Sequence, residues 1–234
     1  MFCKSFKGSL VSAKDAAELA QLLAADVAGW LQEGIEQRGV ATLVVSGGST
    51  PAPFFSALAA MKLDWGKVVV TLADERWVPL TDKLSNEKLI RETFLTGAAS
   101  EASFLSLYNG AATPDEGWEN CNSTLSELPT PMDVVVLGMG GDGHTASLFP
   151  ETSGLADACD LSTDKLCWPM HPPHLKESRM TLTLAALLNC RQLVLHMTGD
   201  DKSGVFSQAL DGAELPIASV IEAAKNRLQV YWSA

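Results

Sequence analysis

Residues 133–150 read D-V-V-V-L-G-M-G-G-D-G-H-T-A-S-L-F-P, and no other stretch constrains the fold as tightly. The run from Val134 to Leu137 is β-branched and apolar, with no polar alternation. That pattern predicts a strand buried on both faces, as in a parallel sheet covered by helices. Gly138, Gly140, Gly141 and Gly143 follow at once. The chain is then expected to enter a short helix at Thr145 and to stop at Pro150. A buried strand thus ends in a backbone-flexible turn that delivers one polar side chain, His144, close to a helix N-terminus. In an open parallel sheet, ligands bind just beyond the carboxyl ends of the strands.

The remaining segments fit around that strand. Residues 12–37 predict a long helix, with Ser12 and Asp15 forming a capping-box-like start. Leu19, Leu23, Val27, Trp30 and Leu31 make its apolar stripe. Residues 42–46 predict a buried strand running into Gly47, Gly48, Ser49, Thr50 and Pro51, then a helix over 53–61. Pro51 suits a first helical turn, where no N–H is required. Glycines before a helix N-terminus, with two hydroxyls beside them, are how an anion site is built. An ordinary glycine-rich strand-to-helix turn reads the same way. Residues 67–73 predict another buried strand, with D-E-R-W-V-P (74–79) at its end. Those charges are either a solvated loop or part of a site at the strand's carboxyl end.

A helix over 85–96 follows, with Ser85 as its cap and Asn86 and Arg91 in its first turns. A short strand is expected at 104–107 and a helix at 115–128, burying Trp118, Leu125 and Leu128. Residues 151–173 are polar and Pro-rich and read as an irregular surface excursion. His171 and His174 (H-P-P-H) lack nearby Cys or carboxylate partners, which favours exposed loop histidines over a metal site. Residues 179–184 alternate as a half-buried strand. A short helix (185–189), a buried strand (192–198), a helix entered through G-D-D-K (199–202) and a last strand (228–232) complete the chain. Strands alternating with helices define an α/β fold: an open, mainly parallel sheet sandwiched by helices, with right-handed crossovers. With no linker, repeat or low-complexity segment, residues 1–234 are expected to form a single domain.

Charge and cysteine usage narrow the function. A net charge of −11 speaks against nucleic acid, which wants a basic patch, and against anionic membranes. No apolar run is long enough to span a bilayer. An anionic ligand would have to be drawn by a few placed cations against the overall field, and Arg76, Arg179 and Lys202 stand near strand ends. The N-terminus lacks the apolar core of a signal peptide. The five cysteines are scattered, with no C-x-x-C. Free thiols in a reducing compartment, and hence a cytoplasmic protein, are expected.

G-M-G-G-D-G (138–143) formally matches the dinucleotide fingerprint G-x-G-x-x-G. Its place past the middle of the chain and its truncated helix argue against NAD, as does the lack of an acidic residue about 20 positions on. There is no P-loop Gly-Lys-Ser/Thr, no G-x-S-x-G elbow and no cysteine beside the glycine loops. What remains is one histidine on a glycine turn, two glycine-rich strand ends and three cations. These suit a small phosphorylated ligand and acid–base chemistry without metal or cofactor.

Six segments occur in the order they occupy in one known family: S-G-G-S-T-P (46–51), D-E-R-W-V-P (74–79), S-N (85–86), G-M-G-G-D-G-H-T-A-S-L-F-P (138–150), S-R-M-T-L-T-L (178–184) and T-G-D-D-K (198–202). On these the chain resembles the 6-phosphogluconolactonase family. The resemblance implies an open α/β sandwich related to the sugar-phosphate isomerases and deaminases. It also implies hydrolysis of 6-phospho-D-glucono-1,5-lactone to 6-phosphogluconate in the oxidative pentose phosphate pathway. The catalytic base then falls on His144, and phosphate and sugar contacts on Gly47, Gly48, Ser49, Arg76, Arg179 and Lys202. Asp74, Gly141 and Asp142 complete the expected substrate-binding set. Asp142 either orients His144 or holds the loop, and the role of Asp74 stays open. Residues 151–173 and those after about 215 carry nothing over.

Elementary chemistry agrees with that implication. A lactone carbonyl is already electrophilic, so water needs a base, worth about 10²–10⁴ in rate, and the oxyanion needs donors. A helix N-terminus beside His144 would favour the neutral imidazole that a base requires. The expected partner is a small phosphorylated sugar lactone, met by a monomer or a small homo-oligomer, between which the sequence does not choose. Glucosamine-6-phosphate deaminase shares the Ser-Gly-Gly-Ser-Thr-Pro and Asp-Gly-His elements. It is expected to carry an acidic residue five positions after the histidine, where this chain has Phe149. Its D-E-Y segment reads Asp74-Glu75-Arg76 here. A non-catalytic sugar-phosphate sensor would need a DNA-binding segment, and the first 40 residues offer no basic helix-turn-helix.

Overall fold

A computed structural model describes residues 6–48 and 50–234; Cys3 and Ser49 lie outside them. Strands run over Ser9–Ala13 (β1), Ala41–Val45 (β2), Val68–Leu72 (β3), Asp74–Arg76 (β4), Ser103–Leu105 (β5), Met132–Leu137 (β6), Cys167–Met170 (β7), Arg179–Leu182 (β8), Cys190–Thr198 (β9) and Leu228–Ser233 (β10). Helices run over Ala16–Arg38 (α1), Ala52–Ala59 (α2), Asn86–Thr93 (α3), Pro114–Leu125 (α4), Leu155–Cys159 (α5), Leu184–Leu188 (α6), Asp200–Leu210 (α7) and Pro216–Ala224 (α8). Seven strands form one sheet in the order β1-β10-β9-β6-β2-β3-β5, and every pairing in it is parallel.

Burial explains the order. Every residue of β2 and β6 is buried, so these apolar strands take the centre, where helices cover both faces. The chain lays β3 and β5 on one side of β2, then returns to place β6 on the other. Strand order therefore reverses between β2 and β6, where an open α/β sheet has its ligand crevice. The opposite ends of these strands are closed by polar contacts. Asp133 Oδ2 accepts from the Thr42 N–H at 2.8 Å, the Asp133 N–H donates to Thr42 Oγ1 at 2.8 Å, and Arg38 pairs with the same carboxylate.

Helix α1 packs against β1, β2, β6 and β10 through Leu19, Leu23, Val27, Leu31 and Ile35. Its cap is Asp15, whose carboxylate accepts from the Glu18 N–H at 2.8 Å. Ser12 lies in β1, an edge strand whose mixed exposure hides it from a search for apolar runs. Helix α8 also went unforeseen, although Pro216 opens it and Ile217, Val220 and Ala224 line its buried side.

Residues 74–76 and 151–173 depart furthest from expectation. Asp74-Glu75-Arg76 is not a solvated loop. It is β4, in a second, antiparallel sheet ordered β4-β8-β7. The segment 151–173 is not irregular: it contributes α5 and β7. Trp118 of α4 ties β7 in place, donating its Nε1–H to the Cys167 carbonyl at 2.6 Å and meeting Trp168 edge-on, centroids 4.6 Å apart. Strand β8 is buried throughout, not half-buried. In this sheet Arg76 lies directly opposite Arg179, and Asp74 opposite Thr181. With a period of two, those four side chains share one face, and Glu75 points to the other.

Glu75 is fully buried and anchors α3. Its Oε1 accepts from the N–H groups of Arg76 and Asn86, each at 2.7 Å. Its Oε2 accepts from the Glu87 N–H at 2.8 Å and Ser85 Oγ at 3.1 Å. Burial pushes its pKa up to about 7, with the N–H groups of Glu87, Asn86 and Arg76 pulling the other way. Because all four partners donate, Glu75→Gln would set an NH₂ against donors. We expect that change to cost about 1–3 kcal/mol, read as an earlier urea midpoint; an unchanged midpoint would show that the four bonds contribute nothing.

Candidate active site

The carboxyl ends of β2 and β6, together with β4 and β8, enclose a cavity of about 460 Å³. Gly47, Gly48 and Thr50 line it from the loop after β2. Gly140, Asp142, His144 and Phe149 do so from the loop after β6. Asp74, Arg76, Asn86, Arg179, His196 and Lys202 complete the polar wall.

The loop after β6 does not enter a helix. Thr145 and Leu148 form an isolated antiparallel bridge, closed by a Leu148 N–H to Thr145 carbonyl bond of 3.0 Å. Ala146 sits between them at φ 48°. Two hydroxyls that could have served a helical turn are engaged elsewhere. Thr145 Oγ1 donates to the Gly138 carbonyl at 2.8 Å, and Ser147 Oγ to Asp74 Oδ2 at 2.5 Å. With Pro150 close behind, too few residues remain for a stable helix. The helix expected to begin at Thr145, with its dipole, is therefore not there to act on His144.

Asp142 supplies the local control instead. Its Oδ1 accepts from the His144 N–H at 3.1 Å and lies 2.5 Å from Nδ1. An ionised carboxylate can only accept, so Nδ1 carries the proton and Nε2 is the ring nitrogen turned away from Asp142. Partial burial raises the Asp142 pKa, but the bonds and charge of His144 outweigh it and hold the carboxyl below its usual range. The imidazole lies over Gly140, where a Cβ would come within 2.2 Å of Nδ1 and Cε1; only glycine fits. Gly143, at φ 77°, turns the loop, and its carbonyl accepts from the Ile217 N–H at 3.0 Å.

Across the cavity stand two guanidiniums. Arg76 and Arg179 face each other in register, and like charges so placed destabilise a sheet. Arg76 Nη1 donates to the Leu84 carbonyl at 2.8 Å. The Nε atoms of both arginines are buried and, among the described residues, have no hydrogen-bond partner. Burial first, then the Arg76 charge, lowers the Arg179 pKa. Such a pair calls for an anion. Lys202, its pKa lowered by burial, donates to Thr50 Oγ1 at 3.2 Å. Beside Thr50, Pro51 is the N-cap of α2 and makes no side-chain cap bond, and such a helix N-terminus favours a negative group. Asn86 Nδ2 donates to the Asp74 carbonyl at 2.9 Å, and its Oδ1 occupies the place a Cβ on Gly47 would need.

Of the residues singled out from sequence, Gly47, Gly48, Asp74, Arg76, Asp142, His144, Arg179 and Lys202 meet on this wall. Gly141 does not: it is exposed on the outer bend of the turn, and Gly140 takes the close approach. Asn86, Gly140, Phe149 and His196 are additions. For His196 the available signal was a lone imidazole in an apolar strand. Among the described residues no cluster of three His, Cys, Asp or Glu could hold a metal ion. His171 is engaged in its loop, with Nε2 2.9 Å from Asp115 Oδ2 and Nδ1 2.9 Å from Ser178 Oγ.

His196 is 3% exposed, and burial, with the Lys202 charge second, brings its pKa down to about 4. The folded value lies below the unfolded one of about 6.5. The contribution to stability is therefore complete above pH 6.5 and lost as pH falls toward 4, on the order of 3 kcal/mol. We expect the stability difference between wild type and His196→Asn to shrink across that window. An NMR midpoint for His196 near 6.5 would contradict this.

The family model described as glucosamine-6-phosphate isomerases/6-phosphogluconolactonase matches residues 14–232. A 6-phosphogluconolactonase of Mesorhizobium japonicum is 43% identical over 220 residues, covering 94% of this chain and 92% of its own. One from Pseudomonas aeruginosa is 43% identical, covering 93% of this chain and 91% of its own. The crystal structure of a 6-phosphogluconolactonase from Shewanella baltica superposes with a TM-score of 0.93 at 43% identity, over 97% of this chain and 98% of that one. Among the described residues no helix is long and apolar enough to cross a membrane. With a matching fold, the glycine loops at its strand-order reversal and identity sustained along nearly its whole length, the chain belongs to the glucosamine-6-phosphate isomerase/6-phosphogluconolactonase family.

Proposed function

We propose that this chain hydrolyses 6-phospho-D-glucono-1,5-lactone to 6-phospho-D-gluconate, the second step of the oxidative pentose phosphate pathway, with His144 as general base. One observation carries the reading: an imidazole held at Nδ1 by a carboxylate shares a cavity with two facing guanidiniums whose Nε atoms, among the described residues, have no partner. The relatives' names supply the substrate class. The base needs only a proton-accepting nitrogen beside water, and the arginines need a compact anion.

The phosphate is received by Arg179 and Arg76, with Lys202 and the N-terminus of α2 drawing the anion in against the net negative charge. The glycine backbone at 47 and 48 lets the sugar approach closely. Water attacks C1 as His144 Nε2 takes its proton, and the carbonyl pair moves onto oxygen. Asp142 holds the tautomer and stabilises the imidazolium. Backbone N–H groups of the glycine loops and a nearby cation receive the developing oxyanion, each such donor worth about 10²–10³ in rate. Collapse of the tetrahedral intermediate breaks the bond from C1 to the ring oxygen. The imidazolium returns its proton to that oxygen, and the acid product ionises. Asp74, bonded to Ser147 and near the arginines, orients the sugar and balances their charge.

Acid release from freshly generated lactone, followed above the spontaneous background, tests this. Wild type should accelerate it, and His144→Ala should lower kcat by about 10²–10⁴ with KM little changed and folding intact. Undiminished turnover in the variant would remove the base from the mechanism. Ammonia release from glucosamine 6-phosphate, with no lactone turnover, would replace the reaction itself.

A further inference from the structure

Phe149 touches both halves of the cavity. Its ring lies against His144, centroids 4.2 Å apart and planes inclined by 30°. The guanidinium carbon of Arg179 stands 5.6 Å from the centroid of the same ring. The imidazole is therefore confined by Gly140 below, Asp142 at Nδ1 and Phe149 across its face. Nε2 is the edge left for chemistry.

Arg179 is held quite differently. Among the described residues no hydrogen bond or ion pair fixes its guanidinium, and its Nε is buried without a partner. Arg76 repels it, while Asp74, Glu177 and Glu75 attract it from beyond ion-pair distance. Among the described residues, the Phe149 face is the cation–π contact it makes. A ring's negative face attracts a cation and stacks with a second aromatic at offset, so one side chain holds two groups of opposite task.

We propose, resting on the hydrolase reading above, that Phe149 is a positioning residue that sets the Arg179 guanidinium relative to His144 Nε2. A phosphate gripped by Arg179 then brings the lactone carbon to a fixed distance from the base. The aromatic face performs this, not the apolar volume. An aliphatic residue of similar size would fill the space yet free both the imidazole and the guanidinium, and a misplacement of about 1 Å can cost on the order of 10²-fold in rate.

The experiment compares kcat, KM and thermal melting for wild type, Phe149→Tyr and Phe149→Leu on the lactone. Phe149→Tyr keeps the face and should stay within about threefold of wild type. Phe149→Leu should lose about 10- to 100-fold in kcat and raise KM severalfold, with its melting temperature close to wild type. Arg179→Gln should cost less in the Phe149→Leu background than alone, because contacting residues are not additive. Should Phe149→Leu melt early, Phe149→Met carries the same comparison. An aliphatic variant that folds and matches wild type in both constants overturns the proposal and leaves the hydrolase reading standing. A wild type without lactone turnover defeats the hydrolase reading, and the proposal with it.

Discussion

Between β2 and β6 the direction in which strands are added reverses, and two neighbouring strand ends release their loops into one crevice. Both loops are glycine-rich for steric reasons specific to each. Asn86 fills the space beside Gly47, and the imidazole of His144 fills the space beside Gly140. The remainder of the site is arranged around that opening. The far ends of the same strands are closed by Asp133, Thr42 and Arg38, so polar bonds secure the sheet on one side while the other stays open.

The small antiparallel sheet brings two guanidiniums to this crevice. It arises because β4 leaves the main sheet directly after β3, separated from it by Ala73 alone, and pairs with a strand more than a hundred residues later. That pairing sets two arginines face to face. In an ordinary sheet such a register is unfavourable. Here Glu75 anchors it from behind, its carboxylate gathering the start of α3 and the backbone of β4. A buried acid on one face thus supports an array of cations on the other.

Several groups in the cavity are placed at some cost to stability. Among the described residues two buried arginine Nε atoms lack partners, His196 is buried with its pKa lowered beside a lysine, and Ala146 adopts a positive φ. Strain and unmet polarity of this kind concentrate at functional sites. They also fit a cavity organised for a ligand that brings negative charge, since a phosphate satisfies donors that the folded chain leaves open.

Much of this was legible in the residues. Apolar runs without alternation announced the central strands, because burial on both faces disfavours the polar positions that a half-exposed strand would alternate. Glycine clusters at their ends marked the crevice, and His144 stood out as the one histidine on a glycine turn. What needed the tertiary structure was every relation across long sequence distance. The strand character of 74–76 and 167–170 depends on pairing with β8, which local propensity cannot report. The opposition of Arg76 and Arg179 is a matter of register. The helix expected at Thr145 gave way to a bridge because Gly138 and Asp74 claim its hydroxyls. Gly140 rather than Gly141 faces the imidazole because the turn's curvature, not its composition, chooses the inner residue. Composition and periodicity decided which segments are buried and where the chain can bend; only packing decided which side chains meet, since contact energies depend on neighbours that the sequence brings together from far apart.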